Sequence, residues 1–70
     1  MNLKEGKRNN RYQIIGIPPV PMLRNLGVRP GQRVEVRFQY PLSGPVIIRI
    51  YRRDFAIRGT IAKQIRIKEL

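Results

Sequence analysis

The run Leu26-Gly27-Val28-Arg29-Pro30-Gly31-Gln32-Arg33-Val34-Glu35-Val36-Arg37-Phe38-Gln39-Tyr40 decides how this chain folds. From Arg33 to Tyr40 the residue types alternate. Val34, Val36, Phe38 and Tyr40 fall on one side, and Arg33, Glu35, Arg37 and Gln39 on the other. A period of two over eight positions predicts a strand with one buried and one wet face. Just before it, Arg29-Pro30-Gly31-Gln32 has proline at the second and glycine at the third position of a type II turn. Further upstream, Pro21 suits the first position of a short helix reaching Leu26. Gly27 suits the left-handed residue that ends such a helix. Leu23 and Leu26, three apart, would face the sheet together.

Downstream the pattern repeats in shorter units. Pro41-Leu42-Ser43-Gly44-Pro45 breaks the strand, because two prolines remove amide donors from any ladder. Val46, Ile48 and Ile50 then share one face of a strand from Val46 to Tyr51. Arg52-Arg53-Asp54 reads as a tight turn, after which Phe55 and Ile57 point inward and Arg58 outward, a hairpin pattern. Thr60-Ile61-Ala62-Lys63 has the length of one helical turn, with Thr60 placed to cap it. Ile65 and Ile67 alternate with Gln64, Arg66 and Lys68 in a last strand. Tyr12 to Ile17 is the first, closed by Pro18-Pro19. Residues 1–10 are polar, with Asn9-Asn10 a turn, and are expected to be loosely held. Five short strands with one short helix predict a mainly β fold, a single barrel domain over residues 1–70, SH3-like or OB-like.

Composition narrows the chemistry. Seventy residues bury only about 60% of their unfolded surface and cannot contain a large enzyme fold. Fifteen Lys and Arg against four Asp and Glu leave a net charge of +11, and eleven of the cations are arginine. No apolar run approaches the ~18 residues of a membrane helix, and the N-terminus lacks the apolar stretch of a secretion signal. A cytoplasmic chain is therefore expected. With no cysteine and no histidine, the chain lacks thiolate and imidazole metal ligands and the commonest general base. Glu5, Glu35, Asp54 and Glu69 lie at least fifteen positions apart, so nothing in the sequence pairs two carboxylates. The expectation is a non-enzyme with no cofactor and no built metal site.

Leu23, followed by Leu26-Gly27-Val28-Arg29-Pro30-Gly31-Gln32-Arg33-Val34-Glu35-Val36, resembles the L-x-x-L-G-[LV]-x-P-G-x-x-[VI]-x-V core of FeoA-like proteins. The likeness continues through Pro41-Leu42-Ser43-Gly44-Pro45-Val46 and the strand Ile48-Arg49-Ile50. It ends in Phe55-Ala56-Ile57-Arg58, Ala62 and Ile65, so that it spans Leu23 to Leu70. Three features depart from the family pattern. Met22 stands where an arginine is usual, Pro18-Pro19-Val20-Pro21 is shorter and richer in proline, and Arg52-Arg53 replaces a hairpin glycine. The resemblance implies an SH3-like barrel that is an accessory of bacterial ferrous-iron uptake. Its implied partner is the cytoplasmic part of a FeoB-type membrane transporter, which would keep the chain near the membrane. On that basis the candidate partner-binding residues are Leu23, Leu26, Gly27, Arg29, Arg33, Pro41, Leu42, Gly44 and Pro45. Leu23, Leu26 and Gly27 would supply an apolar side, and Arg29 and Arg33 a charged rim.

The arginines support a second reading, a basic barrel that binds RNA or single-stranded DNA. Arg33, Arg37, Arg49, Arg52, Arg53, Arg58 and Arg66 fall on outward or turn positions. Tyr12 and Tyr51 are the candidate stacking rings, with Phe38 and Phe55 assigned to the core. No nucleic-acid motif accompanies them, so the accessory reading is preferred.

Overall fold

Glycines and prolines divide the chain into short apolar runs, and a computed structural model of residues 1–70 shows what each run becomes. A 3-10 turn (Leu3–Glu5) precedes β1 (Arg11–Gly16), α1 (Pro21–Asn25) and β2 (Arg33–Gln39). There follow β3 (Val46–Ile50), β4 (Arg53–Ile57), α2 (Gly59–Ala62) and β5 (Arg66–Glu69). The strands form one antiparallel sheet in the order β4-β3-β2-β1-β5, curled into the expected mainly β, SH3-like barrel. Leu3, Tyr12, Ile14, Leu23, Val28, Val34, Val36, Val46, Ile48, Ile50, Ile57, Ala62, Ile65 and Ile67 fill its interior. No helix is long and apolar enough to cross a membrane.

Between α1 and β2 the turn chemistry read from the sequence holds in detail. Gly27 has φ +88°, its amide donates to the Arg24 carbonyl, and the Val28 amide donates to the Leu23 carbonyl at 2.8 Å. That pair of bonds is the Schellman ending, and the accompanying apolar contact falls between Leu23 and Val28, both fully buried. Four residues on, Gly31 has φ +92° and the Gln32 amide donates to the Arg29 carbonyl, as a type II turn requires. The chain thus leaves α1 and enters β2 through two left-handed glycines.

Other expectations are corrected. β2 carries a bulge: Val36 faces Ile48 and Phe38 faces Ile47, so Arg37 is an extra residue. One inserted residue reverses the facing of everything after it. Phe38 and Tyr40, expected inside, are therefore exposed, and Gln39 turns inward. The hairpin turn is Tyr51-Arg52, one residue earlier than expected, because Ile50 already pairs with Arg53. Its left-handed residue is Tyr51, at φ +57°. Thr60 does not cap α2. The helix starts at Gly59 with Arg58 at the cap position and no side-chain cap bond, and Thr60 is exposed.

Residues 1–10, expected to be loosely held, close the barrel. The Leu3 amide donates to the Ile65 carbonyl and the Ile67 amide to the Met1 carbonyl, so the N-terminus covers the outer edge of β5. Leu3 is fully buried. The inward Gln39 donates through Nε2 to the carbonyls of Leu3 and Gly6 at 2.9 and 2.8 Å, which ties the end of β2 to this segment. The Lys7 amide donates to the Tyr12 hydroxyl at 2.7 Å, giving that buried ring its polar partner.

Candidate functional site

The loop between β2 and β3 is held from three sides. Within it the Gly44 amide donates to the Pro41 carbonyl, and the Tyr40 amide to the Pro45 carbonyl, both at 3.1 Å. From the N-terminal segment, the Lys4 ammonium donates to the carbonyls of Tyr40 and Gly44, each at 2.9 Å. From α2, Gly59 lies so close under the loop that a Cβ there would strike the Ser43 and Gly44 carbonyl oxygens. This scaffold presents Leu42 almost fully to solvent, at 91% exposure, with φ +59°. A leucine in the left-handed region gains nothing from local backbone preference, and here it buries nothing either.

Leu42 does not stand alone. Tyr40 precedes the loop, and its ring packs edge-on against Phe38 with centroids 4.8 Å apart. The Arg8 guanidinium lies 5.2 Å from the Phe38 centroid, a cation–π contact. Across the sheet Phe38 pairs with Ile47, which pairs with Ala56, so an apolar row crosses the outer face beside the loop. The bulge at Arg37 is what exposes Phe38. The result is an aromatic and aliphatic patch, Phe38, Tyr40 and Leu42, bordered by Lys4 and Arg8.

The next row of the same outer face is ionic. Arg11, Glu35, Arg49 and Asp54 stand in register across β1, β2, β3 and β4. Arg49 grips Asp54 with two bonds, Nε to Oδ1 at 2.6 Å and Nη2 to Oδ2 at 3.2 Å. That hydrogen-bonded grip holds the Asp54 carboxyl below its usual range. Arg37 Nη1 reaches Glu35 Oε2 at 2.7 Å, and Arg11 Nε lies 4.0 Å from Glu35 Oε1. No three metal-ligating side chains gather anywhere on the molecule.

The nine residues singled out in the sequence do not form one surface. Pro41 and Leu42 are exposed and Gly44 and Pro45 half-buried in the loop just described. Arg29 and Arg33 are exposed at the opposite end of β2, about 20 Å away at ~3.3 Å per residue of strand. Leu26 and Gly27 are half-buried beside that far end, and Leu23 is fully buried and has no surface to offer. Tyr12, a candidate stacking ring, is 1% exposed and cannot stack on a ligand, whereas Tyr51 is 84% exposed. Phe38 escapes a sequence reading because strict alternation hides a bulge, and Tyr40, a candidate exposed ring that the same alternation turns inward, is exposed for the same reason. Lys4 and Gln39 were missed because their bonds join segments more than 30 residues apart.

A search of curated protein sequences finds no significant match. Among solved structures, the chain superposes on a protein described as iron uptake regulatory protein (FeoA) with a TM-score of 0.88 and 26% identity, covering 99% of this chain and 94% of that one. It is similar in fold to Stenotrophomonas maltophilia FeoA complexed with zinc, at TM-score 0.81 and 21% identity over 97% and 89% of the two chains. That relative is described as an SH3 domain protein possibly acting as a bacterial ferrous iron transport activating factor. A manganese-dependent transcriptional repressor shares the fold at TM-score 0.89 and 13% identity, with this chain covering 41% of it. The FeoA domain model matches residues 1–69, taking in the N-terminal segment that closes the barrel, and the chain belongs to the FeoA domain family.

Proposed function

We propose that this chain is a non-enzymatic accessory of ferrous-iron uptake, acting in the cytoplasm at the membrane-embedded FeoB-type transporter. Membership of the FeoA family supports the process, and two solved relatives are described in terms of iron uptake regulation and ferrous iron transport. The observation that carries the proposal is the patch of Phe38, Tyr40 and Leu42, backed by a loop braced by Lys4 and Gly59. Exposed aromatic and aliphatic side chains on a rigid support, edged by cations, have the composition of a protein-docking surface. The occupant is the cytoplasmic part of the transporter, with Pro41, Leu42, Gly44 and Pro45 in the contact. Leu26, Gly27, Arg29 and Arg33 would belong to a second contact at the far end of β2. Leu23 acts indirectly, by packing α1 onto the sheet.

Leu42→Asn tests the docking surface. Asparagine tolerates a left-handed backbone, and Leu42 buries little, so the fold should be kept. In calorimetric titration against the soluble cytoplasmic domain of a FeoB-type transporter, the variant should bind at least about tenfold more weakly, as for an anchoring side chain. Unchanged affinity in a folded Leu42→Asn protein refutes this placement. The same titration with Arg29→Gln reports whether the far end contributes.

A further inference from the structure

At the end of the outer face remote from the Leu42 loop, the sheet places a second exposed ring among arginines. The row Arg11, Glu35 and Arg49 is followed by Gln13 and Arg33 on the neighbouring strands, and Tyr51, two residues after Arg49, stands in the turn just past the end of β3. Arg11, Arg33, Glu35, Arg49 and Tyr51 line one open cleft of about 220 Å³. Their engagements differ. Arg49 is held by Asp54, and Arg11 only loosely by Glu35 at 4.0 Å. Arg33 makes no ion pair or side-chain hydrogen bond.

Tyr51 is the second observation. It occupies the left-handed position of a two-residue hairpin turn, φ +57°, where glycine or asparagine fits without strain. Its ring is 84% exposed, so burial does not repay that conformation. A bulky residue held in a sparsely populated backbone region is a recurrent mark of a binding position. Here the turn sets a flat aromatic face at the rim of a cleft lined by guanidinium groups. Guanidinium groups recognise phosphate oxygens, often with two parallel bonds, and an exposed tyrosine offers a stacking platform for a nucleobase.

We propose that this cleft is a nucleotide-binding site in which Arg33 and Arg11 take the phosphate and Tyr51 stacks on the base. Arg49, fixed by Asp54, forms the cationic wall between them. Glu35 orients Arg11 and Arg37 and is the acceptor left for a sugar hydroxyl or an exocyclic amine. The same chemistry serves a free nucleotide and a nucleotide within a single strand. The site is independent of the Leu42 surface, about 20 Å away along β2, so either can fail without the other.

The test titrates the full chain with adenosine 5′-monophosphate, ribose 5-phosphate and a labelled eight-nucleotide deoxythymidine strand. It uses the native protein and the Arg33→Gln, Tyr51→Gly and Lys63→Gln variants. Lys63 is an exposed cation beyond α2, at the other end of the barrel, and controls for net charge. Tyr51→Gly suits the backbone and should fold at least as well as the native protein. The expected result is saturable binding of the mononucleotide. Arg33→Gln and Tyr51→Gly should each weaken it about tenfold, with Lys63→Gln within about twofold. Absence of saturable binding, equal losses in all three variants, or equal affinity for ribose 5-phosphate would each overturn the assignment. Strand affinity far above mononucleotide affinity, with a steep salt dependence, supports the site with a strand as its source. Equal affinities support it with a free nucleotide.

Discussion

Replacing Gly59 with alanine adds one methyl group at the place where the braced loop touches α2. Gly59 is buried, and its backbone is not in the left-handed region, so conformational preference does not require glycine there. Contact does. A Cβ would meet the Ser43 carbonyl oxygen inside any acceptable van der Waals distance, lie 2.6 Å from the Gly44 oxygen and 2.8 Å from the Ser43 carbonyl carbon. All three atoms are backbone, and Gly44 also accepts from Lys4, so relief needs the loop or α2 to move as a body. Overpacking of this kind costs about 1–3 kcal/mol. In a domain of this size each kcal/mol shifts the melting temperature by roughly 4–8 °C, which predicts a loss of about 5–20 °C. Circular dichroism melts and urea denaturation measure it. Gly16→Ala is the control, because its Cβ would find only Arg66 side-chain carbons at 3.7 and 3.8 Å, an ordinary contact. The control should be neutral, or stabilised by up to about 1 kcal/mol through the unfolded chain. A Gly59→Ala protein within ~0.5 kcal/mol of the native one, the scatter of surface changes, would refute the claim that α2 and the Lys4 bonds fix the loop. Amide chemical shifts should move in α2 itself, in residues 40–45 and in residues 3–7, and little elsewhere.

Three further outcomes follow from the same contacts. Tyr51→Gly relieves a left-handed non-glycine position, worth about 1–2 kcal/mol, against the ~0.5–1 kcal/mol entropy penalty of glycine. It should raise stability by up to ~1 kcal/mol in denaturant titration, and a clear loss would mean that the exposed ring packs. Tyr12→Phe removes the acceptor for the Lys7 amide and should destabilise by about 1–2 kcal/mol, with faster hydrogen exchange at Lys7. An unchanged exchange rate would exclude that bond. Asp54→Asn tests the Arg49 grip by pH. Because the folded carboxyl titrates below its unfolded value, its contribution is present above about pH 3.9 and is lost as pH falls through the folded value. The native protein should therefore exceed Asp54→Asn in stability at pH 7, and the two should converge in acid. A difference that does not shrink as the pH falls would place its origin elsewhere.

Much of the barrel is legible residue by residue, and the failures share a cause. Pro30 and Gly31, Gly27 after Leu26, and the alternation of Val46, Ile48 and Ile50 act through backbone stereochemistry and a period of two. Both are local, and both of those turns and the centres of all five strands fall where the rules place them, whereas the β3–β4 turn and the strand ends beside it do not. The bulge at Arg37 is different. Nothing within eight residues distinguishes Phe38 from an inward position; what turns it out is the pairing with Ile47 and the inward pull on Gln39. Those Gln39 acceptors belong to Leu3 and Gly6, over 30 positions away. The candidate docking residues show the same division. Leu42 is readable as exposed, but Leu23 and Leu26 read alike and only packing separates the buried one from the half-buried one.

From its sequence alone this protein is a small basic β-barrel without histidine or cysteine chemistry, with its turns placed by glycine and proline. Those properties follow from composition and from neighbours along the chain. The tertiary structure alone decides that the polar N-terminus closes the barrel through Leu3. It also decides that Phe38 and Tyr40 join Leu42 in a patch at one end of the sheet, and that Tyr51 meets Arg33 at the other. The reason is physical. Each of these depends on hydrogen bonds and contacts between segments remote in sequence, and their free energy is realised only when the whole sheet has formed.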